Sequence, residues 1–268
     1  MSRMAALLLI LGVLAFVAST LVYALQPGAG VDPSLGPGPW QAGSQGPPPV
    51  PVDLPALFLR PRGLGMGGLL AAVWAALAYH AGRRWSEGRQ ARAAAALGVK
   101  QGPVQNHKRG AGGAEALPLT LGLLAGAAWP WLWPGQPFYA FLLSAAMLSG
   151  FLVAAMRDIH VGGHVRRSSS LGFVAGWGLL ACLAVLTGVL RDQLGLPQEG
   201  AAIAALLIGS VAAVRVQLRL ERRIGFSLAL IWGLIGVAAS TVTTDAAIAT
   251  MTVIAIAIVA VALVRVMT

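Results

Sequence analysis

Charge is what this chain has least of: only 10% of its 268 residues are Asp, Glu, Lys or Arg, against 57% hydrophobic, and the mean hydropathy is +0.76. A soluble domain needs more polar surface than that, so the composition is that of an integral membrane protein. Cysteine is nearly absent too. Cys182 stands alone inside an apolar run, which excludes an intramolecular disulfide and a thiolate metal cluster. Acids are scarce at depth: Asp32, Asp53, Glu87, Glu115, Asp158, Asp192, Glu199, Glu221 and Asp245 all fall between apolar runs or at their ends. An ionisable group inside a bilayer is costly and is kept where it is used, so no proton relay or cation site is expected. Histidine gives no metal set. His107 lies in a gap, and His160 and His164 flank Gly162 and Gly163, which oppose the helix that would bring the pair together. His80 ends a span, where a snorkelling side chain is expected rather than a ligand to a tetrapyrrole metal. The cluster Gly63, Gly65, Gly67 and Gly68 opens a span without a preceding strand or a following Lys-Ser/Thr, so it is no phosphate loop. With no nucleophile and base, and no carboxylate pair, an enzyme is not expected.

What is present is a set of eight apolar runs: 4–25, 63–81, 116–133, 138–156, 171–190, 201–216, 226–241 and 246–264. Each is near the ~20 residues that cross ~30 Å of hydrocarbon as a helix. The cations alternate between their gaps. One side receives Arg3, Arg83, Arg84, Arg89, Arg92, Lys100, Lys108, Arg109, Arg157, Arg166, Arg167, Arg215, Arg219, Arg222, Arg223 and Arg265, and the other only Arg60, Arg62 and Arg191. The positive-inside rule then predicts an all-α, polytopic transmembrane helix bundle of about eight spans with N- and C-termini cytoplasmic, in a bacterial inner (cytoplasmic) membrane. The formal net charge of +10 is taken up in orienting loops against an anionic leaflet, so nucleic acid is not an expected partner. The first run begins like a signal peptide but exceeds the length of a signal core, and it reads as a retained helix.

The whole of 1–268 reads as one transmembrane domain. Its external loop, 26–62, holds ten of the sixteen prolines and Trp40, and is expected to be extended and polyproline-like rather than helical. It reads as a disordered linker or as a lid with Trp40 as plug or interfacial anchor, and nothing local decides between the two. The basic cytoplasmic loop, 82–115, reads as a solvated segment, with a surface helix on headgroups as the alternative. Later loops are short, so successive spans are expected to be antiparallel neighbours. Gly122 with Gly126, and Gly172 with Gly176, have the spacing that lets helices approach closely. Asp245 is placed to cap the last helix.

Tryptophan is the one chemistry left in or beside the spans. Trp131, Trp133 and Tyr139 flank a turn at Pro134 and Gly135, where an interfacial belt would lie, whereas Trp129, Trp177 and Trp232 sit deeper or beside glycine. An apolar cavity walled by aromatics suits a flat hydrophobic ligand. The run Ala127-Ala128-Trp129-Pro130-Trp131-Leu132-Trp133, the pair Gly176-Trp177 with Ala181 one turn on, and Phe226 to Val237 with Trp232 and Gly236 carry a family resemblance. The chain resembles the tryptophan-rich sensory proteins, also called translocator or peripheral-type benzodiazepine receptor-like proteins. It is most similar to long members, with a core over 116–190 and additional C-terminal helices over 200–266.

The resemblance implies a non-enzymatic sensor, regulator or carrier that binds a porphyrin or heme between its helices, with Trp129, Trp133, Trp177 and Trp232 as ligand-binding residues and no metal. Places where the family carries asparagine hold Gly126 and Val185. With the small-residue faces and the lack of buried charge, they motivate a second reading, an accessory or assembly subunit of a larger photosynthetic or respiratory membrane complex. The expected partners are the lipid bilayer, a hydrophobic small molecule, and other membrane subunits or a second copy. Secondary transport would call for broken helices or inverted repeats, and no internal similarity is visible.

Overall fold

The computed structural model describes residues 3–26, 53–61, 63–97, 116–157, 169–220, 224–242 and 245–267. Among these, nine α-helices and no strand are found: α1 (Arg3–Leu25), α2 (Leu54–Leu59), α3 (Leu64–Ala96), α4 (Ala116–Leu132), α5 (Pro137–Arg157), α6 (Ser169–Asp192), α7 (Gln198–Leu220), α8 (Ile224–Thr241) and α9 (Ala246–Met267). Seven are long and apolar enough to cross a membrane, and α4 is a shorter apolar helix. The eight expected spans are therefore all helical. Asp245 caps α9, its Oδ1 accepting from the Ile248 amide at 3.1 Å.

The helices pack as two rings that share one member. α1, α3, α6, α5 and α4 each touch the next and close a five-helix ring, while α6, α7, α9 and α8 close a four-helix ring. Helix α6 is the common wall, and 78% of its apolar window is buried inside the protein. Such a helix has no lipid face to fill with bulky side chains, and its surface is built from Gly172, Gly176, Gly178, Ala181, Ala184 and Gly188. Its neighbours use the space. A Cβ at Gly176 would lie 2.5 Å from the Phe226 carbonyl oxygen of α8, and one at Gly188 would strike the Trp133 ring of α4. The α4–α5 contact is closer still: a Cβ at Gly150 would lie 2.5 Å from the Pro118 carbonyl oxygen and 2.8 Å from Gly122 Cα. Gly122 was legible as a packing glycine, but its partner Gly150 was not. Gly126 serves a different purpose, making room for the Phe16 ring and the Met147 sulfur.

Four expectations are corrected. Residues 54–59 of the Pro-rich segment are helical, because Asp53 accepts from the Ala56 amide and Pro55 falls in the first turn, where a missing N–H costs nothing. Trp40 and the rest of that loop lie outside the described residues, as do His107, His160 and His164. The basic segment begins as helix, not loop: α3 continues to Ala96 with Glu87 paired to Arg83 at 3.5 Å and Arg84 at 3.3 Å, since Ala-rich sequence with i,i+3 and i,i+4 ion pairs propagates a helix already begun. His80 is buried, 1% exposed, rather than snorkelling, because the helix that carries it continues past it. Finally, α7 and α8 are consecutive but not packed along their lengths; α6 and α9 fill the space between them.

Helix α2 is held on the bundle by the residue that caps its C-terminus. Arg60 donates from Nε to the Tyr23 carbonyl at 3.2 Å and from Nη2 to Gln26 Oε1 at 3.1 Å, and its guanidinium lies 4.3 Å over the Tyr23 ring. A cation there also answers the carbonyls at the C-terminus of α1. Leu54, Phe58 and Leu59 are buried beneath.

Two predictions follow from this packing. Gly150→Leu should force α4 from α5 and cost more than about 2 kcal/mol, read as a lowered thermal midpoint in detergent, while Gly82→Ala, with open space around it, should leave the midpoint unchanged or slightly raised. Arg60→Ala should loosen α2 by about 1–2 kcal/mol, seen as faster amide exchange confined to residues 54–60.

Candidate functional site

The five-helix ring is filled by aromatics. Phe16 of α1 meets Trp177 of α6 edge-on at 5.8 Å and Phe151 of α5 edge-on at 6.3 Å, and Trp129 of α4 is fully buried one turn from the glycine that receives Phe16. Such edge-to-face contacts put the positive rim of one ring on the negative face of another.

The tryptophans divide by what their N–H groups do. Trp74 donates to the Thr20 hydroxyl at 3.0 Å, Trp131 to the Ser19 hydroxyl at 2.7 Å, and Trp232 to the Gly65 carbonyl at 2.9 Å. These three are stitches between helices: Trp74 joins α3 to α1, Trp131 joins α4 to α1, and Trp232 joins α8 to α3. Ser19 extends its stitch by donating to the Ala127 carbonyl at 2.6 Å. Trp129 and Trp177, both 0% exposed, have indole nitrogens with no hydrogen-bond partner. An unmet buried donor costs about 1–3 kcal/mol, so two in one apolar core need a reason.

Of the four residues singled out from the sequence, the structure brings Trp129 and Trp177 into the same ring core. Trp133 is half-buried just past the end of α4, its six-membered ring against Gly188. Trp232 stands apart at the α3–α8 seam, over Gly68 and edge-on to Phe173 at 6.4 Å.

A second feature lies in the four-helix ring. A cavity of about 40 Å³ is walled by α6, α7, α8 and α9, with Leu54 and Phe58 of α2 across one end. A smaller one of about 20 Å³ continues along the same helices to Ala213 and Val259. Leu180, Leu183, Leu206 and Leu234 line both. None of the four singled-out tryptophans borders either cavity. Beyond the smaller cavity, Ser227 of α8 donates to Gln217 Oε1 of α7 at 2.8 Å; both residues are buried, and Gln217 Nε2 has no partner. Sequence reasoning passed over this pair because it searched for charge within the apolar runs, and Gln217 lies just past the end of one, between Arg215 and Arg219. The short helix α2 was missed for its length, yet Asp53 followed by Pro55 was a usable start signal.

The described acids all have structural partners or positions. Asp53 and Asp245 cap helices, Glu87 and Asp192 pair with arginines, and Glu199 sits in the first turn of α7. Among the described residues no group of three His, Cys, Asp or Glu is placed to hold a metal. The site therefore offers aromatic surface and hydrogen-bond donors within an apolar bundle.

No curated protein and no solved structure matches the chain. A family model described as TSPO-like protein matches residues 95–265, from the end of α3 almost to the end of α9. With a match over more than half of its length and this many apolar helices, the chain is a multi-pass integral membrane protein that belongs to the TSPO-like protein family.

Proposed function

We propose that this protein is a non-enzymatic receptor or carrier in a bacterial cytoplasmic membrane, both termini cytoplasmic, that binds a flat hydrophobic molecule of the tetrapyrrole class between its helices. The observation that carries the reading is the pair of indole donors at Trp129 and Trp177, buried without acceptors in a core otherwise made of rings and aliphatic side chains. A tetrapyrrole brings what that core is missing: a planar π face for the aromatic rims, and carbonyl or carboxylate oxygens to accept from the two N–H groups. Trp133 would wall the ligand at the α4 end. Trp232 would act from the α8 side, through Phe173, which stands one turn before Trp177 on α6. The basic helix ends and the arginine-poor opposite face support the orientation.

The test is a titration of the purified protein with protoporphyrin and heme, followed by quenching of tryptophan fluorescence, beside Trp129→Phe and Trp177→Phe. Each variant keeps an aromatic ring and removes the donor. Saturable quenching at micromolar ligand is expected, weakened on the order of tenfold in each variant, the equivalent of one hydrogen bond. Absence of saturable quenching sinks the reading. Co-purification of a stoichiometric membrane partner in mild detergent would then make the chain an accessory or assembly subunit of a photosynthetic or respiratory complex.

A further inference from the structure

The two cavities of the four-helix ring lie end to end along a narrow slot divided by Leu180, Leu183, Leu206 and Leu234. On α7 their lining runs from Ala202 to Ala213 and on α9 from Ile248 to Val259. Eleven steps of helix rise make the slot about 16 Å long. Its walls are aliphatic apart from Phe58 at one end, Thr187, whose hydroxyl donates to the Leu183 carbonyl of its own helix, and Ser210. The lining follows the helix axes, the shape of an extended chain rather than of a planar macrocycle.

Its far end is polar. Gln217 lies one turn beyond Ala213 on the same face of α7, and Ser227 one turn before Leu230 on the same face of α8. Gln217 is 2% exposed and Ser227 0%, and one half of the Gln217 amide has no partner. Burying a primary amide with an unmet N–H is costly. The neighbouring arginines of α7, Arg215 and Arg219, are exposed, so they bring no charge to the buried face. The described residues of α7 and α8 offer no buried cation, so a neutral acceptor suits this place better than a carboxylate.

We infer that the four-helix ring holds a second ligand site, for a single unbranched apolar chain that carries a neutral hydrogen-bond acceptor, a hydroxyl or a carbonyl, at its leading end. The chain lies along the slot, displacing the four leucines that divide it, and its head accepts from Gln217 Nε2. Helix α2 covers the other end through Leu54 and Phe58.

The experiment uses the full-length protein in phospholipid nanodiscs, because alkyl detergents would compete. Tritiated dodecanol and dodecane are the probes, with binding to empty nanodiscs subtracted. Wild type should bind dodecanol saturably and more tightly than dodecane. Gln217→Leu should lose about tenfold for dodecanol and nothing for dodecane, since it removes one hydrogen bond and fills the same space. Ala205→Phe, which fills the slot, should lose both. Protoporphyrin should not displace dodecanol. The site is overturned if no saturable binding is found, if wild type and Gln217→Leu bind dodecanol equally, or if protoporphyrin competes. Gln217→Leu also removes the acceptor of Ser227, so its unchanged dodecane binding serves as the check that the ring is intact, and its result stands even if Ala205→Phe does not fold.

Discussion

Everything in this bundle depends on one helix being surrounded by protein. Helix α6 serves as a wall for both rings, and a transmembrane helix with neighbours on every side must be thin. Its composition answers that demand: Gly176, Gly178 and Gly188 leave room for the α8 backbone, the Phe151 ring and the Trp133 indole, and Leu183 of α6 in turn fills the space at Gly209 of α7. In a bilayer, helices are not driven together by the hydrophobic effect, because lipid is as apolar as leucine. Close approach and dispersion contacts replace it, and each glycine on α6 increases them. The aromatic core and the aliphatic slot lie on different sides of this helix, which is why two chemically different interiors coexist in one chain.

Polar groups in the spans mostly serve their own helix. Thr20, Thr120, Thr187, Thr241 and Thr252 each donate to the carbonyl four residues back, which places the hydroxyl proton within its own helix. Ties between helices are few and specific: Ser19 to α4, Trp74 and Trp131 to α1, Trp232 to α3, Arg60 to α1, and Ser227 to α7. Against that background, the unpartnered donors of Trp129, Trp177 and Gln217 are exceptions. They are the positions where an apolar bundle keeps unspent hydrogen-bonding capacity.

Much of the fold was legible because the bilayer imposes length and hydropathy directly on the sequence. All eight apolar helices follow from that rule, seven of them long enough to cross, and the cap at Asp245 follows from local helix chemistry. What the sequence hid is what depends on contact. Gly122 has a recognisable spacing, but Gly150 faces it from another helix and has no periodic signal of its own. The α7–α8 connection suggested neighbours, yet packing against α6 and α9 separates the two along their lengths. At the aromatic core, Trp129 and Trp177 were found from the sequence because tryptophan is conspicuous in an apolar run. The difference between a bonded indole such as Trp232 and an unbonded one such as Trp177 is set by which carbonyl another helix presents, and no local pattern records it.

The thinness of α6 also bears on the order of synthesis. This helix leaves the ribosome before α7, α8 and α9 exist, so the side they later cover must wait in lipid. That side carries Gly176, Leu180, Leu183, Ala184 and a Thr187 whose hydroxyl is already bonded within the helix. Nothing on it needs a partner to be tolerated by hydrocarbon. The five-helix ring can therefore close as soon as α6 is inserted, with the last three helices added against a surface that lipid holds in readiness.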